Sequence, residues 1–221
     1  FCKLSEKLLP IDITSPIGRS FSESLQKGLC SLESGLSGLE TPFWKALEGV
    51  DQLKERQSLA LKDLKRFTPD RLLKVAEAIR MGLTVDEIAK VTFIDKWFIR
   101  EIEKIVLVEE QLKKEGLPQS TYQFLELKKK GFSDKRLAQL TNQKEKDVRR
   151  YRLDKNVKSL FKKVDTCGGE FASETSYLYS TYEGDGQTPV HCESNPSDRK
   201  KIIILGSGPN RIGQGIEFDY A

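Results

Sequence analysis

The chain has 221 residues, 38% hydrophobic and 32% charged, with a net charge of only +4 from 37 basic and 33 acidic side chains. That length suffices for one large or two small domains with a substantial core, and the mixed signs speak against a dedicated nucleic-acid domain, which gathers a basic excess in one place. Cys2, Cys30, Cys167 and Cys192 form no CxxC pair and His191 is the sole histidine, so neither a zinc site nor a disulfide framework is expected, and no apolar run approaches the ~18 residues of a membrane span.

Residues Phe1 to Pro16 have little periodicity; Ile11, Ile13 and Ile17 alternate only weakly. A helix is predicted next, with Phe21, Leu25, Leu29, Leu32 and Leu36 on one face, Ser20 as N-cap and Glu23 at capping-box spacing. Gly35 and Gly38 end it, the small residues from Ser34 to Thr41 mark a boundary, and Thr41-Pro42 reads as a new start. From Phe43 to Lys65 the pattern is helical but broken. Thr68-Pro69-Asp70 predicts a helix start through a capping hydroxyl, a first-turn proline and an acid at the positive dipole end. Leu72, Val75, Ala76 and Ile79 are its expected buried stripe, and Gly82 its C′ residue.

Gly82 to Leu112 then predicts two helices broken near Thr92 to Asp95. Thr84 and Glu87 have capping-box spacing. Ile88 and Val91 mark one stripe, while Phe98, Ile102, Ile105 and Leu112 mark the next. Trp97 adds a large apolar surface and serves as a packing anchor, with Phe93 and Ile94 in the turn. Ser120-Thr121 opens another helix carrying Tyr122, Phe124, Leu125 and Leu127. It closes on Lys128-Lys129-Lys130-Gly131, where the lysines are expected to complement the helix dipole as solvated charges.

The stretch GLTVDEIAKVT at Gly82 recurs as GFSDKRLAQLT at Gly131. Thr84 matches Ser133, Ile88-Ala89 matches Leu137-Ala138, Thr92 matches Thr141, and Ile99-Arg100 matches Val148-Arg149. Each unit reads as helix, glycine turn, short helix, tight turn, helix. One unit is too small to bury its own stripe, so two packing together predict an all-helical body from about Pro42 to Val164. A helix-turn-helix nucleic-acid or protein-interaction module is the alternative reading of this pattern, supported by the basic run from Lys144 to Arg152.

After Val164 the character changes. Tyr177 to Tyr182 alternates aromatic and hydroxyl residues, which favours an extended segment. Residues Glu183 to Arg199 read as an exposed linker. Ile202 to Leu205 is a short apolar run fitting a buried parallel strand, and Gly206-Ser207-Gly208-Pro209 follows. The run to Gly213 departs from a dinucleotide fingerprint, because the third glycine falls five residues after the second. Composition and spacing thus give a helical module joined to the start of an α/β domain, with no nucleophile–base pair. Phe1 is not a methionine and Ala221 falls just after the glycine loop, so an internal piece of a longer protein is expected.

The run KIIILGSGPNRIGQGIEFDY, Lys201 to Tyr220, closely resembles the opening strand and loop of the second synthetase half of carbamoyl-phosphate synthase large subunits. VDTCGGEFASETSYLYSTYE resembles that family's connector, with Gly168-Gly169 where alanines are usual. IDKWFIREIEKIVLVEEQL and KKKGFSDKRLAQLT resemble its oligomerisation domain, and IGRSFSESLQKGLCSLESG resembles the last helix of its first ATP-grasp unit. The resemblance implies four segments: 1–40 ends the first ATP-grasp (carboxyphosphate) unit, 41–166 is the helical oligomerisation domain, 167–200 is a connector, and 201–221 begins the second (carbamoyl phosphate) unit.

The implied parent is a cytoplasmic ligase that makes carbamoyl phosphate from bicarbonate, two ATP and ammonia, the ammonia coming from glutamine in a small partner subunit or domain. ATP, magnesium or manganese, and potassium belong to the parent; the resemblance implies no catalytic, cofactor-binding or metal-binding residue in this segment. Its implied role is self-association and coupling of the two halves, without nucleic acid or membrane. By position, Arg211, Gly215 and Glu217 are implied to line the internal tunnel for carbamate, glycine leaving bore width and the charged pair supplying polar walls.

Overall fold

A computed structural model describes residues 16–202, apart from 33, 42, 43, 173, 175, 176 and 187. The expected strand and loop from Ile203 onward, the tunnel candidates Arg211, Gly215 and Glu217, the Ile11 and Ile13 alternation, and Pro42 of the Thr41-Pro42 start lie outside the described residues.

The described elements are α1 (Phe21–Ser31), a 3-10 turn (Lys45–Leu47), α2 (Leu53–Leu64), α3 (Arg71–Arg80), α4 (Val85–Thr92), α5 (Lys96–Glu115), α6 (Thr121–Lys129), α7 (Asp134–Leu140), α8 (Glu145–Asp154), β1 (Leu160–Lys163) and β2 (Leu178–Thr181). The mainly α architecture is therefore as the periodicity predicts. The long helix α5 is its axis: α1, α3, α4 and α7 all pack against it. Its apolar face, Ile99, Ile102, Ile105, Val106 and Leu112, is buried throughout. At about 25 cal/mol per Å² of apolar surface removed from water, such faces rather than local propensity hold these short helices.

The repeat is real in three dimensions. Thr84 accepts the Glu87 amide at 3.3 Å and Ser133 accepts that of Arg136 at 3.0 Å. Thr92 Oγ1 donates to the Ile88 carbonyl and Thr141 Oγ1 to that of Leu137, each at 2.8 Å. Ile88, Leu137, Ile99 and Val148 are all fully buried. Before each unit a helix ends on glycine in the left-handed region, Gly82 at φ 83° and Gly131 at φ 92°. There Leu83 N–H returns to Ala78 O and Phe132 N–H to Leu127 O, the six-to-one bond that such a residue permits.

Several sequence expectations need correction. Helix α1 ends at Ser31, not near Leu36, because the chain turns at Leu32 and Gly35 takes φ 85°; Leu36 still packs on the core from the following segment. Helix α3 starts at Arg71 with Asp70 as N-cap but without a side-chain cap. The Thr68 hydroxyl instead accepts Lys74 Nζ at 3.3 Å. Leu72 and Phe98 are exposed rather than buried, since Val75–Ala76–Ala78 and Ile99–Ile102 carry the faces turned inward. Trp97 anchors only on one side, against Phe21 and Phe98, and is otherwise open.

The body is not wholly helical before Val164. Strand β1 was not anticipated, because LFKK is too short to show a period of two; it pairs antiparallel with β2, Leu160 opposite Thr181. The extended reading of Tyr177 to Tyr182 holds, with β2 inside it.

Candidate functional site

Among the described residues no nucleophile–base arrangement emerges, and no group of three or more His, Cys, Asp or Glu could hold a metal ion. What the fold builds is a polar seam that fastens the N-terminal arm, residues 16–40, and the ribbon strand β2 to the helical body.

At the centre of the seam lies Glu109 of α5, fully buried. It accepts Arg80 Nη2 at 2.7 Å and Arg136 Nε at 2.8 Å. Both guanidinium groups also donate to the Leu39 carbonyl. Glu77 accepts Arg80 Nη1 at 3.1 Å. One carboxylate thus joins α3 of the first repeat to α7 of the second, and both arginines grip the arm. Sequence reasoning missed this cluster, although two signals were present. Glu109 falls on the apolar stripe between Ile105 and Leu112. Arg136 occupies the N3 position where the first copy has Glu87, which closes a capping box on Thr84.

The other end of the arm is held by α1. Glu23 is buried and takes the Thr181 hydroxyl of β2 at 3.0 Å and Lys27 Nζ at 2.7 Å. Lys27 Nζ also donates to Ser180 O. Gln26 Nε2 donates to the Lys130 carbonyl at 2.8 Å, across the Gly131 turn. Helix α1 therefore sits between the second repeat and the ribbon.

The lysine run also departs from expectation. Lys129 and Lys130 remain near solvent, but Lys128 is buried, donating to Asp134 at 2.8 Å and to the Phe132 carbonyl at 2.6 Å. Arg152 of α8 holds the same carboxylate at 3.0 Å. Burial pushes the Asp134 carboxyl up, but the charges and hydrogen bonds of Lys128 and Arg152 outweigh that and keep it below the usual range. Its folded pKa lies under its unfolded one, so it contributes stability above the unfolded value, about 4, that is lost as pH falls through the folded value. Asp134→Asn is expected to unfold more readily at pH 7 and to lose less on acidification to pH 3 than the parent. Denaturant melts at pH 7, 4 and 3 measure this; parallel acid slopes would contradict it.

One further feature faces outward. Phe93, at the end of α4, is almost entirely exposed, and Trp97 and Phe98 are half exposed beside it. Phe21, Trp97 and Phe98 form a ring cluster with centroids 4.9–5.6 Å apart.

Comparison with known proteins identifies the family. The family model "Carbamoyl-phosphate synthetase large chain, oligomerisation domain" matches residues 15–156, and that of the "Carbamoyl phosphate synthase preATP-grasp domain" matches residues 198–221. The chain belongs to the carbamoyl-phosphate synthase large-chain family. Relatives named carbamoyl phosphate synthase large chain include those of Brucella melitensis, 47% identical over 92% of this chain, and Pasteurella multocida, 47% identical over 99%. That of Neisseria meningitidis serogroup A is 45% identical over 99%. The chain spans 17–19% of the length of these relatives. Nothing in the comparisons supports the nucleic-acid alternative, and among the described residues no helix is long and apolar enough to cross a membrane.

Proposed function

We propose that this chain is the assembly and coupling segment of a glutamine-dependent ligase that forms carbamoyl phosphate from bicarbonate, ammonia and two ATP. The match of the oligomerisation-domain model over residues 15–156 carries this reading. In it, residues 1–40 close the first synthetase unit, 41–166 form the oligomerisation domain, 167–200 connect, and 201–221 open the second unit. ATP, potassium, and magnesium or manganese are bound by other parts of the parent, which works in the cytoplasm. A glutaminase subunit or domain supplies ammonia, and the helical body associates with further copies of itself.

The polar seam supports a coupling role. Residues from both flanks, Glu23 of the arm and Thr181 of the ribbon, are bonded to one another on a single helical body. A displacement of one flank is then felt by the other.

In this reading Arg211, Gly215 and Glu217 line the passage for carbamate. A phenylalanine at Gly215 fills the bore without adding charge. In the full-length parent, Gly215→Phe is expected to lower carbamoyl phosphate formation by at least about tenfold while bicarbonate-dependent ATP hydrolysis continues. Assaying both rates on one preparation tests it; carbamoyl phosphate formed at the unaltered rate would remove the passage role.

A further inference from the structure

The register that sets Gly131 on Gly82 extends back through the preceding helices. It sets Thr68-Pro69-Asp70 on Leu117-Pro118-Gln119, and α3 on α6. Each copy has a cleft here, between the end of one helix and the start of the next. Asp63, Arg66, Thr68, Asp70 and Lys74 line the first. Leu112, Glu115, Leu117, Gln119 and Gln123, at the same positions of the repeat, line the second.

The first copy fills its cleft from its own chain. Lys74 is only 7% exposed. Its Nζ lies 2.9 Å from Asp63, 3.2 Å from Asp70 and 3.3 Å from the Thr68 hydroxyl. It also stands 5.8 Å from the centroid of the Trp44 ring. The Trp44 indole N–H donates to Asp63 at 2.6 Å, and Trp44, Lys45 and Ala46 form a further wall of the cleft. An ammonium on an aliphatic stem, held between carboxylates and an aromatic wall, is what the first cleft contains.

The second cleft has no such filling. Gln123 stands at the lysine position, and the lining comes from α5, α6 and the loop between them. The cleft measures about 420 Å³, within the roughly 300–1,000 Å³ of small-molecule sites. Val108, Leu112, Leu117 and Leu127 give it an apolar floor. Glu115 and Glu126 are its ionisable groups, and among the described residues no Lys, Arg or His lines it. The C-terminal end of the 20-residue helix α5 opens there and adds negative potential. Each carboxylate is engaged through one oxygen, Glu115 by Gln111 at 2.9 Å and Glu126 by Lys129 at 2.7 Å. The end wall is braced from α8: the Tyr151 hydroxyl donates to the Pro118 carbonyl at 2.9 Å, and its ring packs on Phe124 at 5.5 Å.

We propose that the cleft between α5 and α6 is a binding site for a small aliphatic amine. Its carbon chain lies on Leu112, Leu117 and Leu127, and its ammonium meets Glu115 and Glu126. The site is independent of the assembly and coupling role proposed above.

Amide NMR spectra of the 221-residue chain test it, titrated with 1,5-diaminopentane and separately with 1,5-pentanediol at constant ionic strength. Diamine shifts are expected to cluster in residues 108–127 and to saturate. The diol should bind at least about tenfold more weakly, the worth of one charge-assisted hydrogen bond. Glu115→Gln/Glu126→Gln should weaken the diamine by a similar factor with unchanged helical circular dichroism, since neither side chain is buried. Gln123→Lys, which copies Lys74 of the first copy, should weaken it too, by bringing an ammonium into the cleft from within. Equal affinity for the diol, shifts scattered over acidic residues of the whole surface, or an unchanged diamine affinity in both variants overturns the site. So does diamine binding by this chain but not by the full-length parent, which would mean that another part of the longer polypeptide covers the cleft.

Discussion

Glu109→Ala is expected to destabilise the helical body by about 3–5 kcal/mol, the cost of breaking a buried ion pair from one side. Glu109 is fully buried and neutralises two guanidinium groups, each about nine-tenths buried itself. Without it, Arg80 and Arg136 face each other across the cavity with only the Leu39 carbonyl in common. Glu77, and Glu110 at 4.0 Å from Arg80 Nε, offer partial relief to Arg80 alone. Domains of this size are stable by only about 5–15 kcal/mol, so a large share would go. The midpoint of urea unfolding measures it. Removing all three charges together, as Arg80→Met/Glu109→Leu/Arg136→Met, should be far milder, because no unpaired charge remains. If the single variant is no worse than the triple, the cluster is not held by its charges.

Gly131→Ala should be the second large effect. At φ 92° an added methyl is strained in itself, by about 1–3 kcal/mol. It would also lie 2.9 Å from Glu23 Cα, 3.1 Å from its carbonyl oxygen and 3.2 Å from Gln26 Cβ. These are the backbone and stem of α1, which cannot swing aside. The helix must move as a body, at a further ~1–3 kcal/mol for overpacking, and Gln26 then loses its bond to Lys130 O. The equivalent Gly82→Ala is the internal control. Its φ is 83°, but the nearest atom is the end of the Gln57 side chain at 3.8 Å, so only the strain applies. Unfolding of the two variants should therefore separate by about 2 kcal/mol, within the overpacking range. Amide exchange in Phe21–Ser31 should quicken only in Gly131→Ala. Equal effects would mean that the close approach of α1 carries no weight.

The elements that were legible share one property: their signals are local. Capping at Ser20 and Thr84 depends on a hydroxyl three residues before an amide, a distance fixed by helix geometry. The glycine stops at Gly82 and Gly131 depend on φ alone. The repeat was legible because two copies of one local pattern recur in one chain. The Gly131 contact with α1 was not, since it joins residues about a hundred positions apart. Phe98 and Leu72 were misread because a stripe drawn from every third or fourth apolar residue does not tell its centre from its margin. Strand β1 was missed because four residues cannot establish a period.

By itself, the sequence determined the helical class, the two-copy plan, the resemblance to carbamoyl-phosphate synthase large chains and the extended Tyr177 to Tyr182 segment. Periodicity, caps and motif text are all written in neighbouring residues. The tertiary structure alone decided that Glu109 joins the two repeats, that Lys128 is buried against Asp134, and that Glu23 meets Thr181. It also decided that Phe93 and Trp97 face outward. Charge pairing and exposure depend on what distant segments bring to a position, and neighbouring sequence does not encode that.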